Sequence, residues 1–198
     1  MLSFVTAIFF LLITPGPGVL STAGVGSGFG FRPGLVYIVG LFIGTNLVAL
    51  AVVSGLAGVV LAEPYVRTIL LLASTAYLFY LAGRIAFSGA KIAFIETERA
   101  PGIGGGILLQ ALNPKAYAVN TTLFTGFGFW PSSLAAEVMV KFLIINAIWI
   151  PIHVLWLYAG VSLKRLAPEP RTQFAINIAM ALAMLAVVGL AVLSSGRL

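Results

Sequence analysis

The sequence predicts an all-α polytopic membrane protein: six transmembrane helices in two inverted three-helix repeats, with the first and fourth helices broken by proline. Three observations predict it. Of 198 residues, 61% are hydrophobic and 8% charged, whereas a soluble domain carries about 25% charged residues. Six stretches approach the roughly 20 mostly apolar residues that a helical span needs. Two of these stretches hold prolines at matching places, since Pro15 lies 99 positions before Pro114.

The first span is expected at about 2–23, interrupted by Pro15-Gly16-Pro17. No Lys or Arg precedes its apolar run, and the run passes into "TPGPG". A cleaved secretory signal has a basic start and a small-residue cleavage site, so this segment reads as a retained helix. The second span lies within the uncharged stretch 33–62. The third covers about 66–88, with Arg84 near its end, where a long side chain can snorkel to the headgroups. The fourth covers about 104–127 and contains Asn113-Pro114-Lys115. The fifth covers about 141–163 and the sixth about 173–194. The whole chain, 1–198, reads as one transmembrane domain: repeat 1 at about 1–88, a polar linker at about 89–103 and repeat 2 at about 104–198.

Loop charges set the expected orientation. Arg32, Arg84, Lys91, Arg99, Lys164, Arg165 and Arg171 fall on one side, and Arg67, Lys141 and Arg197 on the other. The richer side is expected to be cytoplasmic, which puts both termini outside. On this reading the net charge of +6 is a topology signal and not a nucleic-acid surface.

Composition also limits the chemistry. With no cysteine and one histidine, disulfides, thiolate metal sites and multi-histidine metal sites are excluded within one chain. No nucleophile and base stand at an informative spacing, so the sequence points away from an enzyme and implies no cofactor. "GVGSGFG" at 24–30 has the glycines of a phosphate loop but no βαβ context. Gly40-x-x-x-Gly44 is a close-packing signal between membrane helices.

The breaks carry the functional reading. Proline removes a backbone donor and clashes with the preceding turn, and the freed carbonyls cannot face lipid. Broken helices at membrane depth belong where they are buried in protein or line a wet cavity, and paired breaks point to a binding site. Plain packing kinks are the other reading. Lys115 beside Pro114 sharpens the first: a lysine near the bilayer centre costs about 2.5–3.5 kcal/mol. It either faces a polar cavity, where it attracts a carboxylate, or snorkels to the headgroups. Asn46 and Asn146 occupy near-matching places in the second and fifth spans. They serve either a site or a helix–helix hydrogen bond. The latter fits Asn120 and Asn177 better. His153 is a candidate coupling group because imidazole titrates near neutral pH; beside Pro151 a packed structural role also fits.

"TPGPG" at 14–18, "GFRPGL" at 30–35, "GLFIGTNLVALAVVSGL" at 40–56, "AYLFYLAG" at 76–83 and "LLQALNPKAYAV" at 108–119 together resemble the LysE/RhtB superfamily of amino acid exporters. The resemblance covers most of the chain and is strongest from 14 to 120. It implies a bacterial inner-membrane protein that expels amino acids or related metabolites on an ion gradient. It also implies six helices with broken first and fourth segments, and a homodimer. Pro15, Gly16, Pro17, Asn113, Pro114 and Lys115 would belong to its functional core. Members resembling the lysine and arginine exporters carry an acidic residue early in the second span. Here Gly44-Thr45-Asn46 stands in that place. A cationic substrate would lack a counter-charge, so a neutral amino acid of the threonine, homoserine or leucine kind fits better.

The sequence therefore points to alternating-access export of a small zwitterion bound between the two breaks, by Pro15, Gly16, Pro17, Asn46, Asn113, Pro114, Lys115 and Asn146. A non-transporting membrane scaffold or assembly subunit is the alternative.

Overall fold

The computed structural model describes residues 1–86, 99–130 and 133–166 and, singly, 172, 174, 175, 178, 179 and 182. Apart from those single positions, the expected sixth span lies outside the described residues, as do linker residues 89–98 and Asn177.

Every described element is helical: α1 Leu2–Ile13, α2 Pro17–Phe29, α3 Phe31–Val53, α4 Leu56–Ala62, α5 Pro64–Ala86, α6 Gly102–Leu112, α7 Pro114–Thr125 and α8 Leu134–Leu166. Three are long and apolar enough to cross a membrane: Phe31–Val53, Pro64–Arg84 and Leu134–Leu163. The bent pair α1 and α2, 49° apart, adds a fourth if it counts as one span. At 1.5 Å per residue, α3 is about 35 Å long, enough for a hydrocarbon core of about 30 Å. Its large apolar side chains Leu35, Val36, Val39, Ile43, Leu47 and Leu50 point outward, as a lipid-facing surface requires.

The two breaks form where proline dictates. The residue before a proline is pushed out of the helical region, and Thr14 (φ −58°, ψ 127°) and Asn113 (φ −80°, ψ 107°) both adopt such backbone. Pro17 then opens α2 and Pro114 opens α7, the helical position that tolerates proline best. One proline does at the second break what Pro15 and Pro17 divide between them at the first.

Several expected boundaries move. The first segment continues past 23 to Phe29, and a short helix, α4, separates the second and third spans. The fifth begins at Leu134, not 141, so Lys141 is not a loop charge. It lies two turns inside α8, 1% exposed, in an ion pair with Glu137 at 2.8 Å. A neutralised pair can enter an apolar span, where a lone lysine is costly. Arg32 lies in the first turn of α3.

Two backbone-close crossings hold the bundle. α3 packs most extensively on α6, and α2 on α8. A Cβ at Gly106 would come within 2.5 Å of Leu41 N and 2.6 Å of Tyr37 O, and one at Gly40 would strike the Ile103 carbonyl. A Cβ at Gly26 would come 2.7 Å from Leu157 O, and one at Gly160 would strike Ala23 O. Small residues allow this contact, which membrane helices need because lipid supplies no hydrophobic drive between them. α2 is buried from Pro17 through Ser27, so it forms the centre of the described bundle. The second helix of each expected repeat thus packs on the broken helix of the other.

Candidate functional site

A cavity of about 50 Å³ lies between the two breaks. It has room for a few water molecules. Thr14, Gly16 and Gly18 line it from the first break, and Asn113, Lys115 and Ala116 from the second. Gln110, Thr45, Asn120 and His153 complete its polar wall, and Leu11, Leu12, Val19, Val119, Leu123 and Ile145 its apolar wall.

Lys115 joins the breaks directly. Its Nζ donates to the Thr14 carbonyl at 2.6 Å, one of the carbonyls freed when α1 ends. A Cβ on Gly16 would lie 2.7 Å from Lys115 Cδ and 3.0 Å from Nζ, so the lysine reaches Thr14 through space that only glycine leaves open. The second break meets its own obligations. Asn113 Oδ1 caps α7 by accepting from Lys115 N at 3.1 Å. Tyr117 donates its hydroxyl to Ala111 O, freed at the end of α6, at 2.9 Å. Asn113 Nδ2 donates to Gln110 Oε1 at 3.1 Å.

The opposite wall belongs to α8. His153 is 3% exposed and stacks on Trp149, with ring centroids 3.5 Å apart and planes at 16°. Its Nδ1 lies 2.9 Å from Trp149 O. Its Nε2 and the Gln110 amide converge on Gly18, where a Cβ would lie 3.6 Å and 3.9 Å from them. α2 begins at this cavity. The N–H groups of its first turn lack intrahelical partners, so Gly18 and Val19 present the positive end of a helix to the space.

Of the residues singled out from sequence, Gly16, Asn113, Lys115 and His153 line the cavity. Pro15, Pro17 and Pro114 shape it through the backbone, since the chain turns at them. Asn46 and Asn146 are brought together but bond each other: Asn46 Nδ2 to Asn146 Oδ1 at 3.1 Å, and Asn146 Nδ2 to Asn46 Oδ1 at 2.9 Å. Their neighbours Thr45 and Ile145 line the cavity instead. Gln110, Thr45 and Asn120 are the polar wall residues that the sequence reading did not select. Gln110 had a signal, standing one helical turn before Asn113 on the same face. Asn120 turns its Nδ2 to Ala116 O at 2.8 Å in its own helix, leaving its carbonyl oxygen as an acceptor. Among the described residues no group of three or more metal-ligating side chains occurs.

The family model for the LysE type translocator matches residues 9–196. Among curated proteins, the chain is similar to a leucine efflux protein of Enterobacter sp. (strain 638), 25% identical over 135 residues. That match takes in 63% of this chain, and the chain spans 62% of that relative's length. No solved structure matches.

Proposed function

This chain belongs to the LysE type translocator family, and on that premise we propose that it is a secondary active exporter of neutral amino acids. The substrate class is leucine-, threonine- or homoserine-like, and the route is alternating access across the bacterial inner membrane, with both termini outside. The observation that carries this reading is the contact of Lys115 Nζ with Thr14 O at 2.6 Å, which sets a cation and two interrupted helices around one cavity.

A zwitterion's carboxylate would meet Lys115 and the N-terminus of α2, where helix dipole and unpaired N–H groups favour an anion. Its ammonium group would meet acceptors on the facing wall, among them Thr45 and Asn120. Leu11, Leu12, Val19, Val119, Leu123 and Ile145 would receive an aliphatic side chain, in keeping with the efflux substrate named for the Enterobacter relative. None of the cavity residues is acidic, so a lysine or arginine side chain would find no counter-charge. Asn46 and Asn146 would tie α3 to α8 behind the cavity and leave the substrate contacts to their neighbours.

The cavity offers too little space for an amino acid: an engineered cavity of about 150 Å³ binds benzene, against about 50 Å³ here. The halves must therefore part to load and unload, as rocking of two inverted repeats would allow. Homodimerisation, implied by the resemblance, is part of the proposal.

Counterflow of radiolabelled leucine, threonine, homoserine and lysine in vesicles holding the purified protein tests it. Saturable exchange of a neutral amino acid, with lysine at least about tenfold poorer, is the expected result. A tenfold difference corresponds to about 1.4 kcal/mol, less than an uncompensated buried charge costs. No saturable exchange would leave the scaffold reading in its place.

A further inference from the structure

Three amides line the cavity, Gln110, Asn113 and Asn120, each only 4% exposed. Asn120 turns its nitrogen to Ala116 O and Asn113 turns its own to Gln110 Oε1. The Gln110 nitrogen meets no acceptor among the described residues. A buried donor without a partner is costly, and this one is aimed into a cavity.

The second break sets its direction. Lys115 N is a backbone donor, so Asn113 must present its oxygen to it, at 3.1 Å. Asn113 Nδ2 is thereby turned to Gln110. An amide nitrogen again requires an oxygen, and Gln110 Oε1 meets it at 3.1 Å. Nε2 is then the end of Gln110 left for the cavity. The stem of the side chain is held as well. A Cβ on Gly44 would lie 2.8 Å from Gln110 Cβ, so α3 presses on Gln110 where only glycine leaves room. The relay runs from the Lys115 N–H through Asn113 and ends on a donor.

That donor faces the start of α2. Gln110 Nε2 lies 3.9 Å from the place a Gly18 Cβ would take. α2 runs for 13 residues from Pro17, and the N–H groups of Gly18 and Val19 lack intrahelical partners. Lys115 Nζ stands over Gly16, the N-cap, 3.0 Å from where its Cβ would be. Donors from two elements therefore surround one helix N-terminus. The acceptor turned to the same point is His153 Nε2, 3.6 Å from the Gly18 position. A carbonyl oxygen only accepts, so His153 Nδ1 gives its hydrogen to Trp149 O at 2.9 Å, and Nε2 keeps its lone pair. A carboxylate with an ammonium group on the neighbouring carbon matches this set.

We propose that Gln110 reads the substrate's α-carboxylate through Nε2, with Asn113 as the positioning residue that fixes the direction of its amide; the inference rests on the export reading above. One carboxylate oxygen accepts from Gln110 Nε2. The other faces Lys115 and the N-terminus of α2. The ammonium group donates to His153 Nε2. The site then takes an amino acid and discriminates against the corresponding amino alcohol, which lacks the charged acceptor.

Calorimetry on the purified protein tests this with L-leucine against L-leucinol and L-threonine against L-threoninol. In at least one pair, wild type should bind the amino acid at least about tenfold tighter than its alcohol. Gln110→Met keeps the length of the side chain and removes the donor. It should weaken the amino acid about tenfold, as loss of a hydrogen bond to a charged group does, and the alcohol less than about twofold. Gln110→Glu still accepts from Asn113 but turns a negative oxygen to the cavity, and should invert the preference. Equal weakening of both ligands, the mark of a structural role, overturns the proposal. So does a wild type that binds both members of each pair alike, or a preference that survives in Q110E. A second measurement needs no change at this position. The chain holds two glutamines, Gln110 and Gln173, so nuclear magnetic resonance of protein labelled with nitrogen-15 at glutamine side chains can be assigned with Gln173→Glu. The amino acid should shift the Gln110 amide and the alcohol should not. An amide unmoved at saturation overturns the proposal even where both Gln110 variants fail to insert. Wild type that binds neither amino acid and exchanges no neutral amino acid in vesicles overturns the export reading and this inference with it, a result distinct from binding without carboxylate preference.

Discussion

Lys115 Nζ lies 2.6 Å from the Thr14 carbonyl oxygen, joining the two helix breaks across 101 positions of sequence. The bond settles two debts at once. It satisfies a backbone carbonyl freed at the first break, and it gives the half-buried Lys115 ammonium a partner. On the proposed function, a bound carboxylate would compete with Thr14 for the same ammonium, and loading the cavity would then loosen the contact between the two breaks.

Lys115→Met keeps the apolar stem and removes the charge. Hydrogen bonds to charged groups contribute about 1.5–3 kcal/mol, so leucine affinity should fall at least about tenfold. Direct binding of labelled leucine to purified protein reads this. Unchanged affinity would remove Lys115 from the site.

Gly16→Ala should impair transport without preventing folding. The added Cβ would meet Lys115 Cδ at 2.7 Å, but the end of a lysine side chain can move, and moving it breaks the contact with Thr14. Normal insertion with export reduced about tenfold, the loss expected for a charged contact, is the anticipated pair of results. Normal export in well-inserted G16A would show that the contact is dispensable.

Gly160→Ala should do the reverse. Its Cβ would strike the Ala23 carbonyl, where neither backbone has room to yield. Overpacking of this kind costs about 1–3 kcal/mol or more. Thermal unfolding in detergent should show a lower midpoint than for G16A.

The paired breaks were legible in the sequence because proline acts locally. Thr14 and Asn113 leave the helical region whatever surrounds them, so Pro15, Pro17 and Pro114 marked the places without any tertiary information. Gly40 was legible for the same reason, as a missing side chain at a crossing. The partners of Asn46 and Asn146 were not, because an amide offers the same atoms to a substrate, to a neighbour or to its own helix. Three-dimensional distance alone shows that they bond each other. Lys141 misled as a loop charge because hydropathy scores a lysine as exposed, whereas Glu137 one turn earlier neutralises it. Gln110 and Thr45 carry no sequence mark of their own, because a single amide or hydroxyl in an apolar span also fits a helix–helix hydrogen bond.

Asn46→Ala and Asn146→Ala should be strongly non-additive. Each single change removes both inter-side-chain bonds, so the double variant should be little worse than either single one. Polar pairs between membrane helices give coupling energies averaging about 0.6 and reaching about 1.7 kcal/mol. A double-mutant cycle of unfolding free energies measures this. Additive losses would mean that the two amides do not hold each other in the membrane.

The Glu137–Lys141 pair makes the same argument with charge. Glu137 Oε2 accepts from Phe129 N at 2.9 Å and Trp130 N at 2.6 Å, and its Oε1 meets Lys141 at 2.8 Å. Lys141 also donates to Phe124 O at 2.9 Å and lies 5.9 Å and 5.6 Å from the ring centroids of Phe4 and Phe129. One ion pair therefore ties α1, the end of α7 and the start of α8 together, the same helices that supply the buried Phe4, Ile8, Leu123 and Ile145 cluster. Removing one partner strands the other in a buried position, whereas removing both leaves no stranded charge. Lys141→Met and Glu137→Gln should each lower the unfolding temperature in detergent, and the double variant should recover part of the loss. A double variant less stable than both singles would show that the pair contributes through its backbone and aromatic contacts more than through mutual neutralisation.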